Sequence, residues 1–400
     1  MTAVVGHASV AVGLAVATAG AAASLIGGRR CSPRLVELAR ASALLLFAVS
    51  LVAAGTLSLA LLRHDFSIAY VAQNGSLETP PFYTAISLWA ALEGSILLWI
   101  AVLAGYGAVA AWLAPRRAPD LYPVAQGVLF AIAAFFLWLA AGPADPFRTI
   151  SPAPENGLGP NPLLQNHPLM ALHPPALYLG LVGFSVPFAF AIAALVTGRL
   201  DDRWIRVTRG ATLVAWSFLA LGIVLGAWWS YEVLGWGGYF AWDPVENASL
   251  LPWLTATAFI HSLMVQEKRD MLKLWNLTLV VATFLLTILG TFLTRSGVLS
   301  SVHAFAEGLV GPSLLAFIGV ALAVSVGLLV WRGERLRSEG LLDAAVCRES
   351  AFLLNNLLLV GLTLTVLVGT LFPLFAEAWD GTRLSVGEPY FNTTGVPVAL

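Results

Sequence analysis

Ten apolar runs of about 20 to 30 residues leave little choice about the medium in which this chain folds. They lie near residues 8–27, 41–62, 84–113, 121–141, 175–197, 210–229, 249–267, 274–294, 311–331 and 351–372. Each has about the length that a ~30 Å hydrocarbon core requires of a helix rising ~1.5 Å per residue. The composition agrees, with 58% hydrophobic and 11% charged residues, against roughly 45–50% apolar and ~25% charged in soluble domains. A charge at mid-bilayer costs about 2.5–3.5 kcal/mol on the insertion scale, which is why charge is thinned along the whole chain. The expected fold class is an all-α polytopic membrane protein with about ten transmembrane helices in the lipid bilayer, a single integral membrane domain over 1–400.

Basic residues orient the spans. With the N-terminus outside, the inner loops collect Arg29, Arg30, Arg34 and Arg40, then Arg116 and Arg117, then Arg199, Arg203, Arg206 and Arg209, then Lys268, Arg269 and Lys273, then Arg332, Arg335, Arg337 and Arg348. That is 17 of the 21 Lys and Arg residues. Only Arg63, Arg148, Arg295 and Arg383 stay outside, so the positive-inside rule favours this orientation over its inverse. The first run has no basic residue before it and Arg29-Arg30 after it, the reverse of a cleavable signal peptide, and reads as a retained helix. The long segments 63–83, 142–174, 228–248, 295–310 and 373–400 then face outward, and function is expected there.

Several function classes drop out. A formal net charge of -1 provides no basic field for nucleic acid. Cys31 and Cys347 form no CxxC, CxxCH or zinc spacing, against a c-type cytochrome or a dithiol oxidoreductase. No Walker or Rossmann glycine pattern occurs, and no paired broken helices mark an inverted-repeat transporter.

The densest feature is WWSYEVLGWGGYFAWDPVENASLLPW over 228–253, where Trp228, Trp229, Trp236, Trp242 and Trp253 crowd with Tyr231, Tyr239 and Phe240. Any one of them alone reads as an aromatic anchor at the lipid interface. As a cluster they do not, because Gly235, Gly237 and Gly238 clear side chains from the middle and let a flat object approach the backbone. Such a platform suits a large planar apolar ligand like haem, through burial and offset stacking. The following DPVENAS reads as a helix start, with Asp243 ahead of Pro244 at the first helical position and Glu246 in the first turn.

Of the six histidines, His7, His64, His167, His173 and His303 fall at or near the outer face. His173 starts a span at LHPPALYLG, where two prolines permit a sharp helix start. His303 follows Arg295 on another outer loop. Two imidazoles from opposite sides would hold a low-spin six-coordinate haem, and His64 and His167 compete for either role. His261 lies about 12 residues into its span, ~18 Å down a helix. An imidazole at that depth is either hydrogen-bonded core or a ligand to a second haem inside the bundle.

The run WGGYFAWDPVENASLLPW closely resembles the WWD signature shared by haem-handling proteins of cytochrome c maturation. HPPALYLG around His173, FIHSL around His261 and GTFLTRSGVLSSVHAF around His303 follow the order of the CcmF branch, which includes NrfE. The resemblance covers residues 60–372. It implies a WWD haem-binding segment over 228–253 on the outer face of the bacterial cytoplasmic membrane, with Trp228, Trp229, Trp236, Gly237, Gly238, Tyr239, Trp242, Asp243 and Arg295 against the haem. It further implies His173 and His303 as axial ligands of haem delivered by the chaperone CcmE, and His261 as one ligand of a resident haem b that reduces the incoming iron. The activity implied is that of a haem lyase subunit, which with CcmH promotes thioether attachment to the CxxCH cysteines of apocytochrome c. CcmF-type proteins continue well past position 400, where the second haem b ligand lies. The competing reading from another class is a membrane transporter of haem or another small molecule.

Overall fold

The computed structural model describes residues 1–161, 167–234, 238–295, 308–336, 347–381 and 384–399. Among them the regular structure is helical, and the β-type pairing is one isolated bridge, Ile68 with Thr149. Ten helical stretches are long and apolar enough to cross a membrane, and they coincide with the ten apolar runs. The chain is a multi-pass helical membrane protein. Its helices are α1 (Thr2–Arg29), α2 (Pro33–Leu62), the short α3 (Ala69–Asn74) and α4 (Pro81–Ile86), α5 (Leu92–Arg117), α6 (Tyr122–Ala141), α7 (Leu169–Gly183), α8 (Ser185–Thr197), α9 (Arg203–Val233), α10 (Pro244–Arg269), α11 (Lys273–Arg295), α12 (Val310–Arg332), α13 (Arg348–Asp380), α14 (Glu388–Thr394) and α15 (Val396–Ala399).

Helix ends follow from local chemistry. Proline opens α2, α6 and α10 within the first two positions, where its missing N–H leaves no helical bond unmade. Basic residues close α1, α5, α10 and α12 in the last turn, where they complement the negative end of the helix dipole. Asp270, in the left-handed conformation, stops α10 and pairs with Lys273 at 2.6 Å.

Contacts within the chain fall into two compact units, Met1–Ala193 and Ala194–Leu400. In the first, α1, α2, α5 and α6 pack together. Their seam is built from small residues: Gly6, Gly13, Gly20 and Gly27 recur every seventh position of α1, with Val10, Ala17 and Ser24 between them, all buried. Lipid tails offer no hydrophobic drive for helix association, so close backbone approach and dispersion carry it. A Cβ on Gly6 would meet the Phe147 ring at 2.3 Å, and one on Gly20 the Phe130 ring at 2.7 Å. Gly20→Leu is therefore expected to lower stability by about 1–3 kcal/mol through overpacking. Thermal unfolding in detergent would show it, with Gly55→Leu as the control, since a Cβ on Gly55 meets nothing within 4 Å.

The fifth span corrects the expected helix start. It begins at Leu169, so Pro174 and Pro175 lie inside α7 and not at its entrance. At its start His167 accepts the Leu169 N–H at Nδ1 (3.2 Å), which satisfies one of the first-turn donors. Pro174 has no N–H for the carbonyl of Met170, and that oxygen accepts instead from Trp89 Nε1 at 2.8 Å. The span is then interrupted at Phe184, whose N–H reaches Leu181 O before α8 begins.

In the second unit α10 is central, packed against α9, α11 and α13. Polar side chains line its contact with α11: Asn276 Nδ2 donates to Gln266 Oε1 at 2.7 Å, Ser262 Oγ donates to Asn276 Oδ1, and Thr283 Oγ1 donates to Thr255 Oγ1 at 2.9 Å. Trp216 of α9 stacks on Trp253 of α10 and donates its N–H to Thr257 Oγ1 at 2.9 Å.

Candidate functional site

The tryptophan-rich segment joins the end of α9 to the start of α10. Its second half is anchored by a capping box: Asp243 accepts the Val245 N–H at 2.9 Å, and Glu246 Oε2 accepts the N–H groups of Asp243 (3.1 Å) and Ala241 (2.9 Å). Asn247, fully buried, donates to the carbonyl of Trp242 and to Thr370 Oγ1, both at 3.0 Å. These bonds hold Trp242 in the left-handed region (φ 57°), rare for a large side chain.

That backbone sends the Trp242 indole toward the C-terminal part of the second unit. It stacks on Phe391 of α14 with centroids 5.0 Å apart and planes at 9°, and its N–H donates to Asn392 Oδ1 at 2.9 Å. Phe391 is buried with Leu251 and Val366. One indole face and its polar handle are thus engaged by α14.

The first half is more open. Tyr239 stacks on Tyr231 at 4.4 Å and 13°, and both rings are about half exposed. Trp228 is 51% exposed and donates its N–H to Glu232, while Trp229 is half-buried. Among the described residues, a Cβ on Gly238 would meet nothing closer than Phe240 O at 3.9 Å, and its φ is not left-handed. Trp236 and Gly237 lie outside the described residues.

The histidines separate by surroundings. His173 is the fifth residue of α7, half-buried, in a turn fixed by the His167 cap and the Trp89 bond. His64 has φ 51° and a buried Nδ1, and His7 pairs with Asp145 at 2.9 Å. His303 lies outside the described residues, and Arg295 is the last residue of α11. His261 sits deeper than the ~18 Å expected, because α10 begins at Pro244. It lies 17 residues in, ~26 Å from that end and ~12 Å from the other. Its Nδ1 is 3.2 Å from Asn355 Nδ2 on α13.

The family model described as "Cytochrome C assembly protein" matches residues 89–299, the stretch that contains Trp89, His173, the tryptophan-rich segment, His261 and Arg295. The chain belongs to the cytochrome c assembly protein family. Within it the chain is of CcmF type. It is 45% identical over 396 residues to the cytochrome c-type biogenesis protein CcmF of Pseudomonas aeruginosa, covering 98% of this chain and 60% of that one. To CcmF of Escherichia coli it is 45% identical over 371 residues, 92% and 57% respectively. A solved structure titled Cytochrome c Heme Lyase CcmF matches with a TM-score of 0.82 and 40% identity, covering 100% of this chain and 60% of that one. The chain thus spans about 60% of the length of these relatives.

Gly238 is the position at which ligand approach to the segment can be tested. Gly238→Val is expected to weaken haem loading about 10-fold, about 1.4 kcal/mol, more than Trp228→Phe or Trp229→Phe, because phenylalanine keeps an aromatic face while a β-branched chain fills the approach. Haem titration of the purified variants would decide it; equal loading would assign the glycine to chain reversal alone. Three partners escape a sequence reading centred on histidine and the WWD run: Trp89, Asn355 and Phe391. The Asn355-Asn356 pair within an otherwise apolar run was the visible signal for one of them.

Proposed function

We propose that this chain works in cytochrome c biogenesis at the extracytoplasmic face of the bacterial cytoplasmic membrane, where it presents haem for attachment to apocytochrome c. The observation that carries the reading is the open half of the tryptophan-rich segment, where Trp228 and the stacked rings of Tyr231 and Tyr239 are exposed and no described side chain lies within 4 Å of a Cβ on Gly238. Flat aromatic faces beside a bare backbone accept a planar macrocycle by stacking and area burial. The other half is rigid, since Asp243, Glu246 and Asn247 hold the backbone and Trp242 is pinned to Phe391.

Haem reaches the segment from the chaperone CcmE, with His173 and His303 as axial ligands and Arg295 among the residues that bind it. The CxxCH peptide, presented with CcmH, receives the two vinyl groups: each thiol S–H adds across one C=C bond, so sulfur bonds to one carbon and hydrogen to the other. The chain's part in that addition is orientation and exclusion of water. A resident haem b, held by His261, would supply one-electron chemistry there. His261 fits that role as an imidazole at membrane depth with one ring nitrogen oriented by an amide.

Protein purified from its own membrane is expected to carry haem, and a reporter fused after Gly308 should read as extracytoplasmic while one after Arg209 reads as cytoplasmic. A cytoplasmic signal at Gly308 would place the tryptophan-rich segment on the wrong face and overturn the reading.

A further inference from the structure

The seam between α10 and α13 carries three polar side chains where lipid-facing helices rarely keep any. Asn355, seven residues into α13 and so ~10 Å from its start, is exposed between Leu354 and Leu357, both also exposed. Its neighbour Asn356 is fully buried, with neither amide atom partnered. An amide facing hydrocarbon without a full set of partners is costly, so it persists where something needs it. Asn355 does make one contact, with Nδ1 of His261 at 3.2 Å.

The chemistry of that contact is specific. Neutral imidazole has one N–H and one lone pair, and the partner of one nitrogen decides which the other carries. With Nδ2 donating to Nδ1, the proton sits on Nε2, which then has no lone pair for a metal. Turning the amide by 180° presents Oδ1 at the same place, where it accepts from Nδ1–H and leaves the Nε2 lone pair free. A carboxylate could serve only the second state and a leucine neither.

We propose that Asn355 is the positioning residue of His261, an amide that satisfies either tautomer and sets the ring for ligation through Nε2. The assignment rests on the reading of His261 as a haem ligand. Asn355 is exposed in this chain, so Asn355→Leu removes no packed side chain from it.

In protein purified from its own membrane with haem bound, Asn355→Leu is expected to lose haem at least about 10-fold more readily, the usual cost of removing such an outer partner. Asn355→Asp should retain haem but shift its midpoint potential to more negative values, because a carboxylate accepting Nδ1–H makes the imidazole a stronger donor. In haem-free protein, nitrogen NMR of His261 should move from the Nε2–H to the Nδ1–H tautomer in Asn355→Asp. Unchanged haem retention in Asn355→Leu together with unchanged potential and tautomer in Asn355→Asp would overturn the assignment. Persistence of the spectrum in His261→Ala is a different failure: it would remove the haem reading on which the assignment stands.

Discussion

Replacing His173 or His303 by alanine is expected to leave the protein inserted in the membrane and to abolish haem attachment to apocytochrome c. An axial ligand must hold its ring fixed over the iron, and water replaces imidazole poorly. The fold supplies the fixing for His173: its turn of α7 is capped by His167 and tied through Met170 O to Trp89. Trp89→Phe, which keeps the ring and loses the N–H, should therefore reproduce part of the loss. His64→Ala and His167→Ala should be milder, since neither ring is expected on the iron and His167 Nδ1 is already engaged by Leu169 N–H. The yield of haem-stained cytochrome c measures all of these, and added imidazole should restore part of it in His173→Ala. Near-normal yield in His173→Ala would remove that residue from the site.

In protein that includes the continuation past position 400, where the resemblance places the second haem b ligand, His261→Ala is expected to erase the low-spin b-type spectrum while leaving haem at the tryptophan-rich segment intact. The two positions depend on different residues, and along α10 they are separated by ~26 Å, most of a ~30 Å hydrocarbon core. The imidazole sits among apolar side chains with Phe352 at 5.8 Å and Asn355 at hydrogen-bond distance. Alanine leaves that amide without its partner and offers no nitrogen in exchange. Optical and paramagnetic resonance spectra of the dithionite-reduced and oxidised variant would read the outcome. An unchanged b-type spectrum would return His261 to the role of a hydrogen-bonded core histidine.

How far the sequence reaches can be judged residue by residue. The capping box at Asp243 and Glu246 was legible because its donors and acceptors lie within a few positions of one another. The helix start before His173 was not: two prolines argue for an entrance, while in the structure they sit inside the helix, with the Met170 carbonyl that Pro174 leaves free taken by an indole from Trp89, over eighty positions earlier. In the sequence Trp242 belongs to the aromatic platform, and the structure turns its indole onto Phe391 and Asn392. Nothing local announces that choice, since φ 57° at Trp242 is held by the buried Asn247 and, beyond it, Thr370.

By itself the sequence determined that the chain carries ten helical stretches, among the described residues, long and apolar enough to cross a membrane, because the bilayer rewards apolar length and helical hydrogen bonding, both local properties. It also carried the seven-residue glycine period of α1, though not the rings that fill it. The tertiary structure alone decided which aromatic faces stay open, which carbonyl accepts the Trp89 indole and which amide meets His261. Those contacts join residues far apart in the chain, and their geometry is set by how helices settle against one another, to which hydropathy and spacing are blind.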